Sequence, residues 1–183
     1  MGNAFTRWVG DSILKLMGWK VVGKLANEKQ VVLIGGPHTS NWDLFLALGS
    51  AMSVGLKFSW MMKKGAFFWP LGSLWKALGG IPIDRKAKLD VVGQMKAFLA
   101  TKDKVWIGIT PEGTRAKVER YKTGYLRIAM GTNTPIFIVG IDALNKRVVL
   151  DKVWTLTGDL ETDNAAIKAY IDKNYCGIVR EKS

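Results

Sequence analysis

Val31–Asp43, VVLIGGPHTSNWD, opens as an unbroken aliphatic run and breaks at Gly35-Gly36-Pro37. A β-branched run of this kind, bounded by Gly and Pro, reads as a buried strand. Ser40 or Asn41 ahead of Trp42-Asp43-Leu44 reads as a helix cap. His38, the sole histidine of the chain, then lies in the loop after a strand, and Asp43 lies in the first turn of the next helix. The helix dipole there favours an ionised carboxylate. A carboxylate so close can orient an imidazole and stabilise it once it takes a proton. Position alone fits a plain helix cap beside a loop histidine equally well.

On either side the chain repeats the alternation. Met1–Val22 has apolar residues at Phe5, Trp8, Val9, Ile13, Leu16 and Met17, the spacing of an amphipathic helix. It lacks the long apolar core and cleavage site of a signal peptide. Asp11 and Lys15 interrupt it too early for a membrane span. Such a helix can lie in a bilayer interface or simply cover the core. Gly10-Asp11-Ser12 resembles an esterase nucleophile block, but the lone His has no matching context, so Ser12 reads as an ordinary helix residue. Strands are expected at 57–62, 79–85, 105–109, 135–141 and 148–156. Helices are expected at 44–56, 67–78 (short or broken), 89–100, 124–131 and 165–175. The pattern predicts one α/β domain with a largely parallel central sheet flanked by helices, plus the N-terminal amphipathic helix. Residues 1–25 are expected as that helix and 26–183 as the α/β domain. In such sheets ligands bind beyond the carboxyl ends of the strands. His38, Lys63-Lys64, Arg85 and Arg115 each follow an expected strand, so they can converge on one edge.

Composition narrows the partners. Lys and Arg number 27 against 15 Asp and Glu, a net charge of +12, in a chain of 183 residues. An excess of that size favours an anionic partner: nucleic acid, an anionic membrane, a phosphorylated substrate or an acidic carrier protein. Eight Trp among so many bases suit a membrane interface, and also base stacking. The single cysteine, Cys176, rules out an internal disulfide and a cysteine-based zinc site.

Four motifs stand in order over residues 31–140. His38-Thr39-Ser40-Asn41-Trp42-Asp43 is an H-x-x-x-x-D. Lys63-Lys64, then Pro70-x-Gly72, then Gly80-Ile81-Pro82-Ile83-Asp84-Arg85 form a second block. Pro111-Glu112-Gly113-Thr114-Arg115 is a third, and Thr134-Pro135-Ile136 a fourth. Together they resemble the glycerolipid acyltransferases of the 1-acylglycerol-3-phosphate O-acyltransferase type. Pro37 stands where that family commonly has Asn, Thr110 where it has Phe, and Gly65-Ala66 where it has Glu-Leu.

The resemblance implies the chemistry. His38 would take the proton from an acceptor hydroxyl, whose oxygen attacks the thioester carbonyl of a fatty acyl donor, with Asp43 fixing the imidazole tautomer. An imidazole, with an ordinary pKa of about 6.5, suits this task near neutral pH. No acyl-enzyme is needed, because no Ser or Cys nucleophile stands in a recognisable motif. Lys63, Gly113, Thr114 and Arg115 would hold the acceptor's phosphate. Arg115 can fork two phosphate oxygens and Gly113 lets the backbone approach closely. Glu112 joins this set as a scaffold for the turn. Arg85 either binds phosphate or pairs near Asp84, and Lys122 is a further phosphate candidate. No cofactor or metal is expected; acyl-CoA or an acyl-carrier protein serves as co-substrate. The expected partners are that donor, a lysophospholipid acceptor and an anionic membrane surface, with the enzyme peripheral on a cytoplasmic face. Its N-terminal helix is the expected anchor, lost with residues 1–22. Two other readings remain: an esterase or thioesterase using the same His-Asp pair on water, and a basic nucleic-acid-binding domain. The latter lacks a binding motif, so no nucleic acid is expected.

Overall fold

The computed structural model describes residues 2–84 and 90–179. It is an α/β domain. In chain order the elements are α1 (Ala4–Met17), β1 (Lys20–Gly23), β2 (Gln30–Gly36), α2 (Trp42–Ser53), β3 (Phe58–Lys63), a 3-10 turn (Lys64–Ala66), α3 (Leu71–Ala77), β4 (Gly80–Ile83), α4 (Val91–Ala100), β5 (Val105–Ile109), α5 (Gly124–Thr132), β6 (Ile136–Asp142), β7 (Arg147–Trp154) and α6 (Leu160–Asn174). Arg85 lies outside the described residues.

The seven strands form one sheet in the order β1-β7-β6-β2-β5-β3-β4. The five from β6 to β4 are mutually parallel. β7 runs antiparallel to β6, and β1 is parallel to β7. The largely parallel sheet expected from the alternation is therefore present. Its central strands are aliphatic on both faces, as a sheet covered on both sides requires. Val32 and Ile34 of β2 pack on one face with Met95, Leu126 and Ile167 from α4, α5 and α6. Val31 of β2 packs on the other with Trp106, Phe137 and Leu150. Leu14 of α1 and Leu46 of α2 join Val148 on that second face. Helix α3 shares it. Ile81 and Ile83 of β4 face the first layer, and a Cβ on Gly80, the first residue of β4 and on the opposite face by strand alternation, would meet the Trp75 carbonyl of α3 at 2.9 Å. Right-handed crossovers produce this division, because β2→β3 and β3→β4 advance one way across the sheet while β4→β5 and β5→β6 return.

Two local expectations are corrected. The N-terminal helix does not run to Val22. It is capped by Asn3, which accepts the Thr6 N–H, and it stops at Gly18, whose φ of 72° suits a residue without Cβ. Residues 20–23 then become an edge strand, so a strand expected as helix belongs to the sheet. The closing helix starts at Leu160 rather than Ala165. Asp159 caps it through the Thr162 N–H at 2.8 Å, and buried Asp163 accepts from Thr157 and Gly158.

Candidate active site

His38 leaves the carboxyl end of β2, and Thr110–Ala116 leave the carboxyl end of the neighbouring strand β5. These two exits frame a cleft of about 440 Å³ lined by His38, Thr110, Gly113, Thr114, Arg115 and Ala116. The parallel pairing of two strands thus joins the first and third motifs.

His38 Nδ1 lies 2.8 Å from Asp43 Oδ2. The same oxygen accepts the backbone N–H groups of Thr39 at 2.7 Å and Ser40 at 2.8 Å. Asp43 is 4% exposed. Three donors on one buried carboxylate oxygen hold its position, and through it the imidazole. With Nδ1–H given to Asp43, the Nε2 lone pair is left for a proton from substrate. The expected cap takes a different form. Asn41 makes no side-chain capping bond, while Ser40 Oγ accepts from Trp42 N at 3.2 Å. The carboxylate of Asp43 reaches back to the loop N–H groups instead, so one side chain both folds the loop and orients the imidazole.

Glu112 turns away from the cleft. It is 6% exposed, and its Oε1 accepts the backbone N–H of His38 at 3.0 Å. Burial raises its carboxyl pKa above the ordinary value, only partly offset by that bond. A Cβ on Gly36 would stand 3.3 Å from Glu112 Oε1 and 3.8 Å from the Tyr121 hydroxyl, so the glycine makes room for both. Burial, then Glu112, push the Tyr121 phenol upward. Glu112 is thus a support behind the histidine, placed by burial rather than by contact with the cleft.

Gly113 adopts φ 63°, and its N–H donates to Thr110 O at 3.1 Å. A Cβ there would meet Lys122 Nζ at 2.8 Å, which brings Lys122 beside the turn. Thr114 and Arg115 are exposed on the cleft wall. Lys63 is exposed at the end of β3, one strand beyond β5 on the same edge, but it does not line the cleft. Lys64 pairs with Asp84 at 3.2 Å. Thr110, Ala116 and Tyr121 were not singled out from sequence as parts of the site. Thr110 could have been found from its place before the third motif; Tyr121 carries no local signal. A basic rim, a fixed imidazole and a water-accessible cleft together suit removal of a proton from a hydroxyl on an anionic substrate. Among the described residues no group of three or more His, Cys, Asp or Glu could hold a metal.

A family model described as Acyltransferase matches residues 19–142, which include every residue of this cleft. The crystal structure of the 1-acyl-sn-glycerophosphate (LPA) acyltransferase PlsC from Thermotoga maritima superposes with a TM-score of 0.64 at 16% identity, covering 92% of this chain and 77% of that one. At that identity the likeness is one of fold. No individual curated protein matches the chain.

Proposed function

This chain belongs to the acyltransferase family, and from that premise we propose that it moves a fatty acyl group from a thioester donor to the hydroxyl of a lysophospholipid or glycerol phosphate. The foremost acceptor is 1-acylglycerol-3-phosphate, as a step of phospholipid synthesis. The observation that carries this reading is the His38 Nδ1–Asp43 contact of 2.8 Å at the wall of a cleft rimmed by Arg115.

His38 Nε2 removes the acceptor's hydroxyl proton as the oxygen attacks the thioester carbonyl. Asp43 stabilises the imidazolium that results. The tetrahedral adduct collapses, the C–S bond breaks, and the imidazolium returns its proton to the leaving thiolate. Atoms balance as ester and free thiol, with no acyl-enzyme. Arg115 and the Gly113–Thr114 backbone would hold the acceptor phosphate, with Lys63 close by. The donor is acyl-CoA or an acyl-carrier protein, and the amphiphilic substrates place the enzyme at an anionic membrane surface.

The test is acyl transfer from labelled acyl-CoA to 1-acylglycerol-3-phosphate by purified protein. His38→Ala and Asp43→Ala are each expected to lower transfer by about 10²–10⁴-fold with an unchanged far-UV spectrum. A folded His38→Ala protein with near-normal turnover would sink the mechanism. Thioester loss at equal rates with and without acceptor would make the enzyme a thioesterase.

A further inference from the structure

Resting on the reading of the substrates as amphiphiles, we propose that the outer face of the whole α1–α2–α3 layer, and not α1 alone, lies on an anionic bilayer with the carboxyl edge of the sheet at the lipid surface.

The exposed apolar side chains are distributed unequally. Among the described residues, every large exposed hydrophobic except Leu144 and Val153 sits on α1, on α2, or between the 3-10 turn and Leu78, the residue that caps α3 at its carboxyl end. Helices α4, α5 and α6, on the opposite face, carry none. On α1, Phe5 and Trp8 stack with centroids 6.1 Å apart, and Leu16 continues their stripe. On α2, Trp42 and Phe45 form an exposed ring pair at 5.4 Å, beginning one residue before Asp43. Trp69 is 88% exposed, and Leu74 and Leu78 follow along α3. Exposed apolar groups gathered in this way mark a contact surface rather than scattered surface residues.

Charge identifies the occupant. The three helices carry Arg7, Lys15 and Lys76, and a single exposed acid, Asp11, to which the Ser53 hydroxyl donates. Exposed Lys63 and Lys64 stand between α2 and α3. Tryptophans flanked by bases match a lipid headgroup region, where rings enter the acyl boundary and ammonium groups reach phosphates. No helix among the described residues is long and apolar enough to cross a membrane, so the contact is lateral. Trp42 and Trp69 both lie near the strand ends that carry His38 and Lys63. A lipid acceptor in this arrangement keeps its acyl chain in the bilayer while its hydroxyl and phosphate reach the cleft.

Co-sedimentation with phosphatidylcholine vesicles doped with phosphatidylglycerol, at low and high salt, tests the surface. A parallel assay with a water-soluble short-chain acceptor and thioester reads the chemistry without a membrane. Trp69→Ser/Leu74→Ser and Phe5→Ser/Trp8→Ser should each weaken vesicle binding about tenfold or more. Leu144→Ser should leave it unchanged, and far-UV spectra and short-chain turnover should stay at wild-type values in all three. Wild-type binding by the α3 variant would overturn the proposal and return the anchor to α1. Complete release of the wild type by high salt would overturn it in favour of charge alone. A wild type that ignores vesicles but self-associates through this face would also overturn it. A wild type that turns over the short-chain substrates but ignores vesicles marks failure of the surface alone, and one that binds vesicles without short-chain turnover marks failure of the acyltransferase reading alone.

Discussion

Arg115 and Lys63 were expected to share one phosphate, yet only Arg115 lines the cleft. Arg115→Ala should therefore raise the acceptor KM by about ten- to a hundredfold, the loss of one charge-assisted phosphate contact of about 1.5–3 kcal/mol. Lys63→Ala should raise it less. Steady-state kinetics with phosphorylated and unphosphorylated acceptors check this; an equal loss on both would assign Arg115 to the fold or the donor. Glu112 supports a pH prediction. Its folded pKa is raised above the ordinary 4.5 by burial, so the folded protein holds this proton more tightly than the unfolded chain. Stability then falls as pH rises from the unfolded value through the raised one, and levels beyond it. Glu112→Gln keeps an oxygen to accept the His38 N–H but removes the titration. Its denaturation midpoint should gain on the wild type as pH rises above the ordinary carboxyl value of 4.5. Parallel profiles would show that Glu112 carries no such linkage.

At the scale of elements, the contact between α1 and α2 is the tightest helix packing beside the site. A Cβ on Gly10 would stand 2.4 Å from Ser53 N, 2.6 Å from Gly49 O and 2.8 Å from Met52 Cβ. In a solvated helix Gly→Ala gains about 1 kcal/mol. Here the new methyl meets backbone that cannot swing aside, and overpacking of about 1–3 kcal/mol wins. Gly10→Ala should thus lower the urea midpoint, and a raised midpoint would show that the helices separate freely. The stop of α1 at Gly18 and the start of α6 at Asp159 were both readable as cap chemistry. The strand at 20–23 was not. Four residues with an exposed start and end carry too little period to outweigh the helix pattern ahead of them, and only pairing with β7 makes them a strand.

For the molecule as a whole, the N-terminal segment is part of the domain as well as a candidate for the bilayer. Leu14 is buried against Leu46 and Val148, and β1 closes one sheet edge. Removal of residues 1–22 should therefore broaden the thermal transition and favour aggregation, seen by circular dichroism and light scattering. A truncated protein melting like the full chain would show that the segment only rests on the core. Loss of vesicle binding on truncation does not by itself identify an anchor, and surface substitutions on α1 and α3 do so more directly. The C-terminal segment also reaches the site, since Val179 N–H donates to the buried Thr39 Oγ1 at 3.1 Å.

The sequence alone determined the strand-loop-helix at Val31–Asp43, the α/β class and the order of the four motifs. Each of these rests on local patterns: side-chain period, caps, and glycine or proline at a break. It also brought His38 and Asp43 together, because a loop and one helical turn leave them little freedom. Only the tertiary structure set Glu112 behind His38 across 74 residues and tied Thr39 to Val179 across 140. Only it sorted the helices so that one layer took the exposed aromatics. Those relations depend on strand order and crossover hand, which pair distant segments through a shared sheet, and no local period records which segments will meet.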